Sequence, residues 1–539
     1  MKTFSSRDRL RLLGGMGAMS AIGALGVPDA LLGAGKRARA QGARTLTWSV
    51  SPEPPGLNAA FSTASIVQQV SAKMMDGLVS YDDKLAPQPA LATAWAISPD
   101  GKAITFTLRK GVKFHDGKPF TSADVKFTFE EILKKYHPRG RATFANLTEV
   151  ETPDEATAIF KLTGPSPYIM ASLAACESPI LPKHLYAVPD PTKVRYVNAP
   201  VGTGPFKFKS WERGSYLQME RNADYWEKGK PSIDRLIARF IPDSGARAVA
   251  FETGEVDIGG GFPVGFTDLI RLSKDPKLAM TTDGFAMLGA MFQFEFNMRD
   301  PQFKDVRVRQ AFAHAIDQDF VCKNIWYGFA TPATGPVSQK LVNAYTSDVP
   351  KYPFDVAKAE ALLDEAGFPR KADGSRFTIT HEASPYDERF KRFGEYFKQA
   401  MAKVGVTVDL KTSDVGAYLR RIWTENAYQT TSYGIFNTTD PSIGVQRLYW
   451  SKNIRKGVPY SNGSGYSDPE MDKILEAAQI ENDPVKRKAL FAQMQQLAMK
   501  DLPIIPVLNE NFVTLYNKRV KNIAHDPDGI YGTFANIAL

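Results

Sequence analysis

Cysteine is almost absent from this sequence: Cys176 and Cys322 are the only two in 539 residues. Two cysteines make no disulfide framework, and each lies in a locally apolar stretch, which predicts buried free thiols. Neither stands near residue 40, so the anchor cysteine of a lipoprotein is missing. Histidine is scarce too. His115, His137, His184, His314, His381 and His525 form no H-x-x-x-H or H-E-x-x-H pair, so nothing in the pattern points to a zinc site. No apolar run approaches the ~20 residues needed to cross a bilayer. No Walker A sequence occurs. "VGTGPF" (201–206) lacks the third glycine of a dinucleotide loop. "NGSGYS" (462–467) lacks the G-x-S-x-G spacing of a hydrolase nucleophile. Net charge is also short. The total is +9, residues 1–40 alone carry seven Lys and Arg against Asp8 and Asp29, and the other 499 residues are left with only +4. That excess is too dilute to recruit nucleic acid.

What is present is long and ordinary: 43% apolar and 23% charged residues, enough chain for two or three globular domains. The first forty residues read as an export signal. Arg7, Arg9 and Arg11 precede the modestly apolar "LLGGMGAMSAIGALGV", and Ala38-Arg39-Ala40 is an A-x-A cleavage site that puts the mature N-terminus at Gln41. The segment resembles a twin-arginine signal, but Asp8 separates Arg7 from Arg9, so a Sec or a Tat-like route stays open. An exported, non-lipidated chain points to the periplasm.

Past the signal, "TLTWSV" (45–50) alternates as a strand. Residues 65–79 place Ile66, Val70, Met74 and Leu78 at helical spacing. Ile104, Phe106 and Leu108 alternate with polar residues. "HDGKP" then makes a turn, and Thr121 with Asp124 forms a capping box. His115 and Asp116 therefore sit in a turn between strand and helix, where a solvated turn is the simpler reading than a catalytic dyad. Residues 200–260 read as β-rich. From about 285 the pattern becomes strand, helix, strand with short loops, the grammar of an α/β fold. "DVAKAEALLDEAG" closes at Gly367 and "FGEYFKQAMAKVG" at Gly405. Aromatic residues make 11% of the chain. Phe61, Phe262, Phe266, Tyr386, Trp423, Tyr433 and Phe436 fall in expected loops, where they can line a small-molecule cleft or pack between domains.

"LATAWAISPDGKAITFTLRKGVKFHDGKPFTSADVKFTFE" (91–130) closely resembles the signature of the extracytoplasmic solute-binding proteins of family 5, the peptide, nickel and oligosaccharide receptors of ABC importers. Further stretches agree in order: "VGTGPFKFKSWERGSYLQMERNADYW" (201–226), "FNMRDPQFKDVRVRQAFAHAID" (296–317), "FATPATGPV" (329–337), "YPFDVAKAEALLDEAGF" (352–368) and "LPIIPVL" (502–508). The resemblance covers essentially the whole mature chain. It implies an α/β, two-lobed periplasmic binding protein fold with hinge crossings and a ligand cleft between the lobes. Lobe I would hold 41–285, with 505–539 returning to it, and lobe II 286–504. The implied function is a non-enzymatic receptor without cofactor or metal. It would capture a peptide, opine or oligosaccharide solute by hinge closure, as a monomer, and deliver it to a permease and ATPase complex at the inner membrane. A ligand sensor or chaperone-like receptor without transport, or a secreted hydrolase on the same fold, are the other readings.

The expected ligand contacts are Glu53, Phe61, Tyr386, Arg389, Trp423, Tyr433, Phe436, Thr438 and Asp440. One departure bears on specificity. In peptide-binding members, an Asp three residues before an acidic-Pro pair holds the peptide's α-amine. Here the loop is "YGIFNTTDPSIG" (433–444), Asp440-Pro441 supplies the pair, and Thr438 stands where that carboxylate is expected. A neutral hydroxyl cannot replace a charge-assisted bond to an ammonium. Free-amine peptides are thereby put in doubt unless Asp440 or Glu53 takes over.

Overall fold

The computed structural model describes residues 43–523 and 528–539; the signal segment, its cleavage site, Gln41 and His525 lie outside them. The alternating "TLTWSV" is the strand Thr45–Val50. It sits inside a seven-stranded sheet whose order is Leu278–Thr281, Thr514–Asn517, Ile258–Gly259, Thr45–Val50, Arg235–Phe240, Tyr216–Arg221, Phe206–Glu212. Thr45–Val50 runs parallel to both its neighbours, and the other pairings are antiparallel. A four-stranded antiparallel sheet of Ala92–Ile97, Ala103–Leu108, Thr157–Leu162 and Leu147–Asp154 packs into the same core.

The strand, helix, strand pattern that begins near residue 285 builds a second large sheet, with the order Ala330–Pro332, Ile504–Glu510, Ala290–Phe296, Thr430–Phe436, Thr378–Ala383, Thr407–Lys411. Ala290–Phe296 is its centre and is buried along its whole length, as "AMFQFEF" requires. Helices such as Val306–Ala315, Val356–Glu365 and Glu388–Lys403 cover it. The chain passes between the two sheets twice, between Thr281 and Ala290 and between Glu510 and Thr514. The sequence places the return at about 505. Ile504–Glu510, however, is paired on both edges within the second sheet, so the return follows Glu510. An apolar run such as "IIPVL" serves equally well in either core, and only the pairing decides between them.

Local expectations differ from the structure at two places. The helix expected over 65–79 stops at Ser71. The backbone at Gly77 passes so close to Leu173 that a Cβ there would stand 2.2 Å from its carbonyl oxygen, and a continuing helix could not make that approach. His115 is not in a solvated turn. Its Nδ1 accepts from the Gly202 N–H at 3.3 Å and its Nε2 donates to the Gly204 carbonyl at 3.0 Å. Asp116 accepts instead from His184 at 2.6 Å. The signature thus clasps "VGTGPF", whose Gly202 and Gly204 press on the backbone of Met74.

Burial, against the pull of the Gly204 carbonyl, draws the His115 ring down to about 4; His137 also falls to about 4 and His381 to about 3, in each case through burial first. These rings are neutral when folded and charge more easily when unfolded, so their contribution is present above pH 6.5 and lost as pH falls toward 4. Urea unfolding between pH 7 and pH 4 should show stability falling over that window. A His115→Gln variant should lose less on acidification, and an unchanged pH slope in it would remove His115 from the account.

Candidate ligand-binding site

The loop after the strand Thr430–Phe436 is one of the second body's contacts with the first; Phe266, stacked on Phe329 at 5.4 Å, is another. Phe436 meets Phe512 edge-on at 6.0 Å, and Phe436 and Ile443 pack on the core of the first sheets. Thr439 Oγ1 donates to the Ala171 carbonyl at 2.5 Å. Elsewhere Asn343 Nδ2 donates to the Lys84 carbonyl at 3.1 Å. Thr438 holds a left-handed backbone, φ 57°, unusual for a β-branched residue. Its amide donates to the Leu288 carbonyl at 3.0 Å, while its buried hydroxyl has no partner.

Asp440 is wholly engaged within its own body. It caps the short helix Pro441–Gly444 through the Ser442 N–H. Both its oxygens also accept from Arg487, at 2.5 and 2.8 Å, in a largely buried bidentate pair. Glu53 is engaged in the first body, accepting from the Trp211 indole and the Gly214 N–H, each at 2.9 Å. Phe61 stacks on Tyr186 and meets Tyr136 edge-on. Arg389 pairs with Asp387 at 2.6 Å and Glu510 at 2.9 Å, and lies over the ring of Phe262 at 4.2 Å.

Trp423 and Tyr433 come together, but not in loops. Both are buried, their rings 5.6 Å apart, and Tyr460 touches each of them. Half-exposed Tyr386 is within hydrogen-bonding reach of Tyr460. Trp423 lies in the helical segment Arg420–Glu425 and Tyr433 in the strand Thr430–Phe436, and aromatic residues in such elements look the same in sequence whether they fill a core or edge a cleft. Beneath this wall lies Glu295, which accepts from Tyr433 at 2.5 Å and Tyr428 at 2.7 Å. Burial pushes its carboxyl up to about 7, against the pull of those two hydroxyls and of Arg299. A folded value above the unfolded one gives stability that is full below pH 4.5 and lost as pH rises through 7, worth about 3 kcal/mol. Glu295→Gln should flatten this dependence and gain on the native protein above pH 7. Parallel urea titration curves for the two proteins from pH 5 to 8 would count against it.

The sequence reading missed a basic pair. On the first body, Arg139 lies against Glu177, its Nε donating at 2.9 Å, and Gln68 donates to the same carboxylate at 2.8 Å. On the second, Arg447 donates from Nε to the Gly444 carbonyl at 3.0 Å and from Nη2 to the Phe436 carbonyl at 3.2 Å. Its charge is within electrostatic reach of Arg139, Glu177, Tyr433 and Tyr460, so it stands where the two bodies meet. The only signal in the sequence was a lone cation in the aromatic-flanked "GVQRLYW". Among the described residues, no group of three or more His, Cys, Asp or Glu is placed to hold a metal ion, and no helix is long and apolar enough to cross a membrane.

Two lobes with separate cores, joined by two crossings and meeting through the loop 436–444 and the Arg389–Phe262 contact, define a two-lobed binding protein. A family model described as bacterial extracellular solute-binding proteins, family 5, matches residues 86–457. A Brucella ovis protein named a putative ABC transporter peptide-binding protein is 32% identical over 445 residues, 79% of this chain and 80% of its own. The glutathione-binding protein GsiB of Salmonella typhimurium is 28% identical over 476 residues, 86% and 88% of the two chains. The solved structure of AgaA in complex with agropinic acid, from A. tumefaciens R10, superposes with a TM-score of 0.74 at 27% identity, covering 92% of this chain and 98% of that one. The chain belongs to the family 5 solute-binding proteins, and its activity is that of the substrate-binding protein of an ABC transporter. Such proteins bind small solutes, pair with a permease and an ATPase, and work outside the cytoplasm; the family is made up of transport proteins rather than enzymes.

Proposed function

We propose that this protein, exported with cleavage after Ala40, is a monomeric periplasmic receptor. It would enclose its solute between lobe I (residues to about 285, with the segment after Glu510) and lobe II (286–510). The observation that carries the reading is the loop 436–444. It belongs to the second sheet yet reaches the first lobe through Thr439 and Phe436, so its contacts form only when the lobes close. Tyr433, Tyr460, Tyr386 and Thr438 are proposed to line the cleft, with Phe436 at its floor. Glu53, Phe61, Arg389, Trp423 and Asp440 hold the surrounding geometry. A peptide-like or opine-like solute suits this wall better than an oligosaccharide. The relatives' ligands, peptides, glutathione and agropinic acid, support that class.

Thr438 has no carboxylate, and Asp440 is paired with Arg487. The cleft should therefore not depend on a free α-amine. Calorimetry with matched free and N-acetylated di- to pentapeptides is expected to give equal or tighter binding for the acetylated forms. Tight binding of free peptides that is lost on acetylation, and again in Asp440→Asn, would overturn the reading. A bound solute should also compact the protein in small-angle scattering. At ~100 times its dissociation constant, it should add about 2.7 kcal/mol of stability.

A further inference from the structure

Arg447 is held by fewer bonds than Arg309, Arg487 or Arg389. Arg309, which is buried, spends Nε, Nη1 and Nη2 on the Asp501, Phe303 and Lys304 carbonyls, whereas Arg447 is only half-buried. Arg487 and Arg389 each have carboxylates. Arg447 has two backbone carbonyls, and among the described residues no carboxylate lies within ion-pair distance of it. The nearest acid it senses is Glu177, whose two oxygens are already taken by Arg139 and Gln68. His137, beside Glu177, is buried and neutral. Two guanidiniums, one carboxylate and a neutral imidazole leave one positive charge uncompensated between the lobes.

A second feature marks the same place. Gln446, next in the chain, is 2% exposed and its amide oxygen has no partner. The Thr438 hydroxyl, a little upstream, is also without a partner. Polar atoms buried without partners are rare, and these two lie on the segment 438–447, which also carries a cation with no counter-ion. An enclosed single charge is costly unless something answers it.

We infer that Arg447 is the anchor for a carboxylate of the solute, so that the transported class is an acid whose body rests on Tyr433 and Tyr460. This rests on the receptor reading above and adds the ligand's charge to it. The planar fork of Arg447 can take a carboxylate through Nη1 and Nη2 while Nε stays on Gly444. The anion also explains how Arg139 and Arg447 tolerate one another: closure brings two like charges together, and a carboxylate between them removes the repulsion. The charge of the solute thus becomes a condition for closing.

Two measurements test it. First, solute-stripped Arg447→Gln is compared with the stripped native protein by urea unfolding. The variant should be at least as stable, because it loses an uncompensated charge. A loss as large as that in Arg487→Met would make Arg447 a structural arginine and overturn the inference. Second, N-acetylated di- and tripeptides are tested by calorimetry as free C-terminal acids and as C-terminal amides. The acids should bind the native protein roughly 10- to 150-fold more tightly than the amides, and Arg447→Gln should abolish the difference. Equal binding of acids and amides overturns the acid class and leaves the receptor reading standing. A native protein that binds none of the probes and carries no solute through purification sinks the receptor reading instead, and the stability comparison still decides the role of Arg447.

Discussion

Arg487→Met is expected to lower the unfolding free energy by about 3–5 kcal/mol, because it leaves the carboxylate of Asp440 enclosed with no cation. The pair is bidentate at 2.5 and 2.8 Å, and its two side chains are only 14% and 10% exposed. Arg487 belongs to the long helix Pro484–Asp501, and Asp440 to the loop that reaches the first lobe, so the pair ties the contact loop to a rigid element. Asp440→Asn should lose a similar amount for the opposite reason, an unanswered guanidinium. The double variant Asp440→Asn/Arg487→Met should recover part of the loss, since contacting partners are not additive. Urea unfolding of the three proteins measures this. Single losses under about 1 kcal/mol, or strict additivity in the double variant, would make the pair an ordinary surface contact.

Arg389→Leu is expected to cost a similar 3–5 kcal/mol, with a marked dependence on pH. The guanidinium holds Asp387 and Glu510 together, the Trp326 indole donates to Glu510 at 2.8 Å, and Phe262 covers the cation. Glu510 ends the last strand of the second sheet just before the return crossing. The Arg389 side chain therefore pins the chain at the hinge. Burial alone would raise the Asp387 carboxyl, but the adjacent Arg389 holds it below its ordinary value; Glu510 is raised by burial even with Arg389 present. Without the cation both acids titrate higher in the folded state. The variant's folded form is then favoured at low pH and loses ground as pH rises, so the deficit should be smaller at pH 4 than at pH 8. Arg389→Lys should recover only part of it, because an ammonium cannot span both acids as a planar fork does. A deficit that does not change with pH would show that packing against Phe262, rather than charge, is what matters.

Much of the local structure follows from the chain alone. The alternation in "TLTWSV" and "ITFTL", the capping box Thr121-Asp124 and the stops at Gly367 and Gly405 stand in the structure as those patterns dictate. Each depends on neighbours a few residues apart, and a period of 2 or 3.6 encodes which face is buried. The buried thiols Cys176 and Cys322 follow in the same way from their apolar surroundings. The ordered family segments carry the two-lobed class, because they record the whole assembly rather than one element.

What only the tertiary structure decided is who meets whom across long separations. His115 reads as a turn residue until Gly202 and Gly204 arrive on its two nitrogens. Asp440 reads either as a ligand carboxylate or as a residue that shapes its Asp-Pro loop until Arg487, on another helix, takes both its oxygens. Ile504–Glu510 could serve either core until its pairing partners are known. Arg447 gave almost no signal in the sequence, because an isolated arginine becomes informative only when every neighbour that could neutralise it has been counted. Periodicity reports burial, which is local, whereas the balance of charge in a cleft is a sum over both lobes and exists only once the chain has folded.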